Sequence, residues 1–191
     1  GGTIGGTQVL LWAAGSMTNG TTVRLDYSAN GGIDWFVIES NVAFNAGSYT
    51  WNVSSLFPGN RYLWRVVSES ATPACDDTVD LQFSVKNEAL RIYVNDESTN
   101  GDVYCETPGS IYNTGLSPSS PIISPVTAIT NYPIGPGDII YIDTGRYSIT
   151  NTMLLDIERR GESNDAIRIL GSTNRLAGGT VIVGQGAGTL F

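Results

Sequence analysis

Hydrophobic and polar positions alternate with a period of two through much of the first half of the chain. Val23, Leu25 and Tyr27 fall on one side of such a segment, with Arg24 and Asp26 on the other. Tyr49, Trp51 and Val53 repeat the pattern, as do Tyr62, Trp64 and Val66. This is the spacing that a half-buried sheet requires. It predicts strands over 9–13, 22–27, 35–39, 48–53, 62–68 and 79–85. Turn-forming residues separate them: Thr18-Asn19-Gly20, Asn30-Gly31-Gly32, Asn45-Ala46-Gly47 and Pro58-Gly59-Asn60. Short strands at about ten-residue spacing with turns between them predict an all-β sandwich or barrel.

The texture changes after Lys86-Asn87-Glu88, which places a domain boundary there: 1–87 and 88–191. Residues 90–94 read as a strand. A polar stretch over 95–137 then holds six of the eight prolines. It contains one weakly helical patch at 126–129, hemmed in by Pro125 and Pro133, which predicts a single turn of helix. Strand-like runs resume at 139–143, 153–157, 166–170 and 180–183. Ile139 precedes Ile167 by 28 residues, and Leu154 precedes Ile182 by 28 residues. Two strand classes sharing one period predict successive coils of a solenoid, in which each coil buries its faces only against its neighbours.

Composition narrows the chemistry. Charged residues are 15% of the chain, and Gly, Ser, Thr and Asn take their place, which suits strands and tight turns. The net charge of −8 repels phosphate backbones and argues against a nucleic-acid partner. No apolar run approaches the ~20 residues needed to span a bilayer, so membrane insertion by a helix is not expected. There is no His, which removes Ser-His-Asp and Cys-His catalysis and every His-containing metal site. Cys75 and Cys105 cannot make a zinc site alone. They stand either as one disulfide, which implies an oxidising compartment, or as two separate thiols.

Three stretches carry resemblances to known families. Val23-Arg24-Leu25-Asp26-Tyr27-Ser28-Ala29-Asn30-Gly31-Gly32-Ile33-Asp34-Trp35, followed by Gly47-Ser48-Tyr49-Thr50-Trp51-Asn52-Val53, resembles the fibronectin type III-like or Ig-like modules of secreted bacterial surface proteins. Ser28, Asn30, Gly32 and Trp35 also resemble the Asp-box turn, S-x-D-x-G-x-x-W, of sialidase-like proteins, with Asn in place of Asp. The resemblance implies that these residues close a turn and do no chemistry. Ile92-Tyr93-Val94-Asn95-Asp96, then Asn113-Thr114-Gly115-Leu116-Ser117-Pro118, then Pro136-Gly137-Asp138-Ile139-Ile140-Tyr141-Ile142-Asp143-Thr144-Gly145-Arg146-Tyr147, resembles the entry to right-handed parallel β-helix proteins of the pectate-lyase-like kind. It implies an Ig/fibronectin III-like β-sandwich followed by the first coils of a parallel β-helix. It also implies that Asp138 and Asp143 belong to the fold's own entry pattern.

Several constellations are candidates for chemistry. Asp96, Ser98, Asn100 and Asp102 place oxygens at alternate positions around Gly101, like the first half of a calcium loop. The Glu expected at the twelfth position is replaced by Thr107. The competing reading is a solvated Asx turn. A Cys75–Cys105 disulfide would close a 30-residue separation and contribute roughly 3 kcal/mol. The four tryptophans either fill a core or form a carbohydrate platform. Asp138, Asp143, Asp156, Glu158, Arg159 and Arg160 are the charges a lyase or glycosidase groove would draw on. No catalytic residue is expected among them.

The expectation is an extracellular, non-catalytic structural or adhesive module of a cell-surface, matrix or filament protein. Its expected partners are other copies of itself or neighbouring modules of a longer chain, and polysaccharide. One alternative is the N-terminal portion of a secreted carbohydrate-active β-helix enzyme with its active site beyond Phe191. Another is a carbohydrate-binding module. The chain opens at Gly1 in sequence that already reads as folded, which predicts lost upstream segments. It stops soon after the run at 180–183, which predicts either missing coils or an open edge covered by another subunit.

Overall fold

The computed structural model describes residues 2–13, 21–68, 75–149 and 165–184. The fold is all-β, with one short α-helix among the described residues. It divides into two compact units, Gly1–Asn87 and Glu88–Phe191, each with its own core.

The first unit contains β1 (Thr3–Ile4), β2 (Thr7–Leu11), β3 (Thr22–Ser28), β4 (Phe36–Ala43), β5 (Ser48–Asn52), β6 (Gly59–Ser68), β7 (Cys75–Thr78) and β8 (Phe83–Val85). One sheet runs β1-β8-β6-β3-β4, with β7 also paired to β6. β2 and β5 form a second, antiparallel pair. The period of two places Val23 and Leu25 of β3, Tyr62 and Val66 of β6, and Leu10 and Trp51 of the β2–β5 pair in one shared core. The other side of β3 is not simply wet. Asp26 is 2% exposed and is held by Arg24 and by Arg65, its cross-strand partner on β6, at 2.8 and 3.0 Å.

Two expectations over this unit change. The expected strand at 79–85 is strand only over its last three residues, β8; β7 lies ahead of it at Cys75–Thr78, and both pair with the long β6. The intervening Asp80-Leu81 bend breaks the ladder. β1, too short to show a period, lies parallel to β8 with Thr3 opposite Ser84.

The second unit contains β9 (Arg91–Val94), α1 (Pro125–Asn131), β10 (Ile139–Ile142), β11 (Gly145–Ile149), β12 (Arg168–Gly171) and β13 (Thr180–Gly184). β9, β10 and β12 form a parallel sheet in the order β12-β10-β9. Ile92, Ile140 and Ile169 align across it, as do Tyr93, Tyr141 and Leu170. β11 and β13 form a second parallel pair. Ile92, Val94, Ile140, Ile142, Tyr147 and Ile149 point into a core closed on another side by Ala128 and Ile129 of α1. The helix has seven residues, more than the single turn expected. Pro125 opens it and the Ser124 hydroxyl accepts from the Val126 amide, so its N-terminus is capped.

The 28-residue period does not describe the pairing. Ile139 aligns with Arg168, 29 residues on, and Gly145 aligns with Thr180, 35 residues on. A slip of one residue exchanges the two faces of a strand, so Ile167 is not the residue beside Ile139; Arg168 is. The expected strand at 153–157, with Leu154, lies outside the described residues.

Candidate functional site

The Ser28–Trp35 turn is a closed hydrogen-bond circuit. The Ser28 hydroxyl accepts from the amides of Asn30 and Gly32 at 3.3 and 2.8 Å and donates to Asn30 Oδ1. Asn30 Oδ1 also accepts from the Asp34 amide at 2.9 Å, and Trp35 Nε1 donates to the Gly32 carbonyl at 3.0 Å. Gly31 and Gly32 both have positive φ, 76° and 93°, a region other residues enter only at a cost. The side chains of Ser28, Asn30 and Trp35 are thus engaged within the turn itself. Arg65 lies over the Trp35 ring at 4.1 Å. Trp51 is in the core, and Trp12 and Trp64 pack against it. The four tryptophans therefore do not line up as a platform.

The loop after β9 holds the acidic candidates. Asp96 Oδ1 accepts from the Ser98 amide at 2.8 Å, and the Ser98 hydroxyl accepts from the Asn100 amide at 3.1 Å. These are local Asx- and Ser-type turns. Asp102 Oδ2 accepts from Asn95 Nδ2 at 2.6 Å. Among the described residues no group of three or more Asp, Glu, Cys or His side chains is placed to hold a metal ion.

Asp143 anchors this loop. It is fully buried at the end of β10. Its carboxylate accepts four backbone amides: Val103 at 2.7 Å, Tyr104 and Cys105 each at 2.6 Å, and its neighbour Thr144 at 2.8 Å. Asp138 is equally buried and accepts the amides of Leu90 and Gly135, both at 2.7 Å. Charge-assisted bonds of this kind are short and strong, and they leave these oxygens directed at the chain itself. Asp156, Glu158, Arg159 and Arg160 lie outside the described residues.

Cys105 is a half-buried free thiol whose Sγ lies 3.7 Å from the Val94 carbonyl. Burial, then the negative charge of Asp143 and its hydrogen bond, push its pKa up, away from the thiolate. The side chain of Cys75 lies outside the described residues. Burial also pushes the Tyr147 hydroxyl up, with Asp96 and Asp143 adding to the effect. It stays a proton donor to the Asp143 carbonyl at 3.1 Å.

Sequence reasoning missed one feature of the opposite face of the β9–β10–β12 sheet. Tyr93 and Tyr141 stack at 5.1 Å with planes 16° apart, and Tyr104 tilts against Tyr141 at 5.0 Å. Arg91 donates to the Tyr141 hydroxyl at 3.0 Å. The signal was present in the shared I-Y-[VI] triplets of β9 and β10. The rings stack on one another along the ladder, so they cover each other instead of lying side by side.

No family model, no curated protein and no solved structure matches this chain.

Proposed function

We propose that the chain is an extracellular structural or adhesive module, an Ig/fibronectin III-like β-sandwich followed by the opening of a right-handed parallel β-helix. One observation carries the reading: β9, β10 and β12 stack in parallel, with Ile92, Ile140 and Ile169 in one column and Tyr93 stacked on Tyr141 in the next. Parallel strands with aligned columns are how a solenoid builds a core from units that cannot bury themselves. The use of Asp138 and Asp143 on backbone amides supports a role in architecture. So does the closed circuit of the Ser28–Trp35 turn. Partners of this module are further copies of itself, neighbouring modules, or polysaccharide at a cell surface or matrix.

Two measurements on the purified chain test it. Light scattering gives its mass in solution, and neutral and uronic polysaccharides are assayed for new reducing ends or unsaturated products. The expected result is self-association or retention on a polysaccharide matrix, with no product. Product formation overturns the reading, and so does a monomer that is retained on none of the matrices.

A further inference from the structure

A groove of about 450 Å³ opens on the second unit between the start of the acidic loop, the segment before α1, and β11. That volume lies in the range of sites that take small ligands, roughly 300–1,000 Å³. Its walls are mostly polar. Asp96, Glu97 and Ser98 come from the loop, Ser124 precedes α1, and Arg146 and Ser148 come from the outward positions of β11. Ile123, Pro125 and one side of Tyr147 supply apolar surface.

The groove is shaped by the fold. Tyr147 and Ile149 point into the core, so the alternation of β11 turns Arg146 and Ser148 outward. Asp96 is fixed by its bond from the Ser98 amide and lies against Gly145, where any Cβ would overlap the carboxylate. Gly145 also has a φ of 152°. Glycine is therefore required for Asp96 to sit where it does. Among the described residues Glu97 and Arg146 form no ion pair, and both are exposed where they line the groove.

The chemistry of the lining selects its occupant. Two carboxylates accept only, one guanidinium donates only, and three hydroxyls do both. A polyanion is disfavoured, because Asp96 and Glu97 outnumber Arg146 and the whole chain carries −8. A purely apolar ligand would strand all of these groups. We infer that the groove binds a neutral saccharide unit. Its adjacent hydroxyls can donate to Asp96 and Glu97 and accept from Arg146, while its C–H face rests on Ile123 and Pro125. This deepens the adhesive half of the proposed function, and rests on it for its biological sense.

The test is amide-resolved NMR of the whole chain, titrated separately with neutral tetrasaccharides (glucan, mannan and chitin-derived), with tetragalacturonate and with calcium chloride. At least one neutral tetrasaccharide is expected to shift the amides of Glu97, Ser98, Arg146 and Ser148. Glu97→Gln and Arg146→Ala are expected to weaken that binding about ten- to a hundredfold each, the worth of one hydrogen bond to a charged group. Both positions are exposed, so an unchanged dispersion of the remaining amides shows that the variants fold. No groove shift with any neutral saccharide overturns the inference. Shifts with calcium or tetragalacturonate alone overturn it too, as do saccharide shifts that both variants leave intact. Solution mass and retention on a polysaccharide matrix are measured on the same variants. A chain that still self-associates while its groove stays silent refutes the saccharide site and leaves the structural reading standing.

Discussion

Asp102 has one carboxylate oxygen on Asn95 Nδ2, while the other is shielded from solvent with no hydrogen-bond partner. Loss of solvent is the largest influence on its pKa and raises it. The Asn95 bond lowers it, and the charges of Asp143 and Asp96 raise it further. A carboxyl whose pKa is higher in the folded than in the unfolded chain is bound more tightly to its proton when folded. Stability from this group is therefore fullest below its unfolded pKa and is lost as pH rises through the folded one. Asp102→Asn is expected to raise the melting temperature at pH 7, and the gain should shrink towards zero as pH falls below 4. Calorimetry at the two pH values checks this, and an equal gain at both would show that charge is not the cause. The sequence singled out Asp102 as an oxygen-bearing loop residue, but not its shortage of partners. That shortage arises from a long-range packing of the loop against Asp143, which local spacing does not encode.

At the scale of elements, β10 does more than fill a place in a sheet. Its terminal carboxylate, Asp143, gathers three successive amides from a loop some 40 residues earlier. Asp143→Ala is expected to cost about 4 kcal/mol in urea denaturation, with Asp143→Asn near half of that, because the amide keeps one acceptor. Hydrogen exchange at Val103, Tyr104 and Cys105 should accelerate in both variants. A loss below ~1 kcal/mol would mean that water replaces the carboxylate at little cost. Strand positions were legible wherever one side faced a core, as in β3, β5, β6 and β9. Pairing was less legible. The one-residue difference between the 28-residue period and the observed 29 arises because Ile139, Ile140 and Ile142 offer apolar residues on both sides of β10, so composition alone does not fix its register. The groove was not legible either. Arg146 and Ser148 read as ordinary outward residues until the fold brings Glu97 and Ser124 beside them.

At the scale of the molecule, the change of texture at Lys86-Asn87-Glu88 coincides with the division between two compact units, each with its own hydrophobic cluster. A domain with a separate core is able to fold alone. Residues 1–87 expressed by themselves are expected to unfold in one cooperative transition, with tryptophan fluorescence and circular dichroism reporting the same midpoint. Separate midpoints, or no transition, would mean that this unit depends on the second. Its two ends meet in β1 and β8, which run parallel and are joined by Ser84 N to Gly2 O and Lys86 N to Ile4 O, each 2.9 Å. A pull applied to the two ends of this unit acts along those strands in opposite directions. The bonds then share the load together instead of parting one after another as in a zipper. The first unit is thus built with a mechanical clamp where tension would enter and leave it, a property suited to a link in a chain under strain.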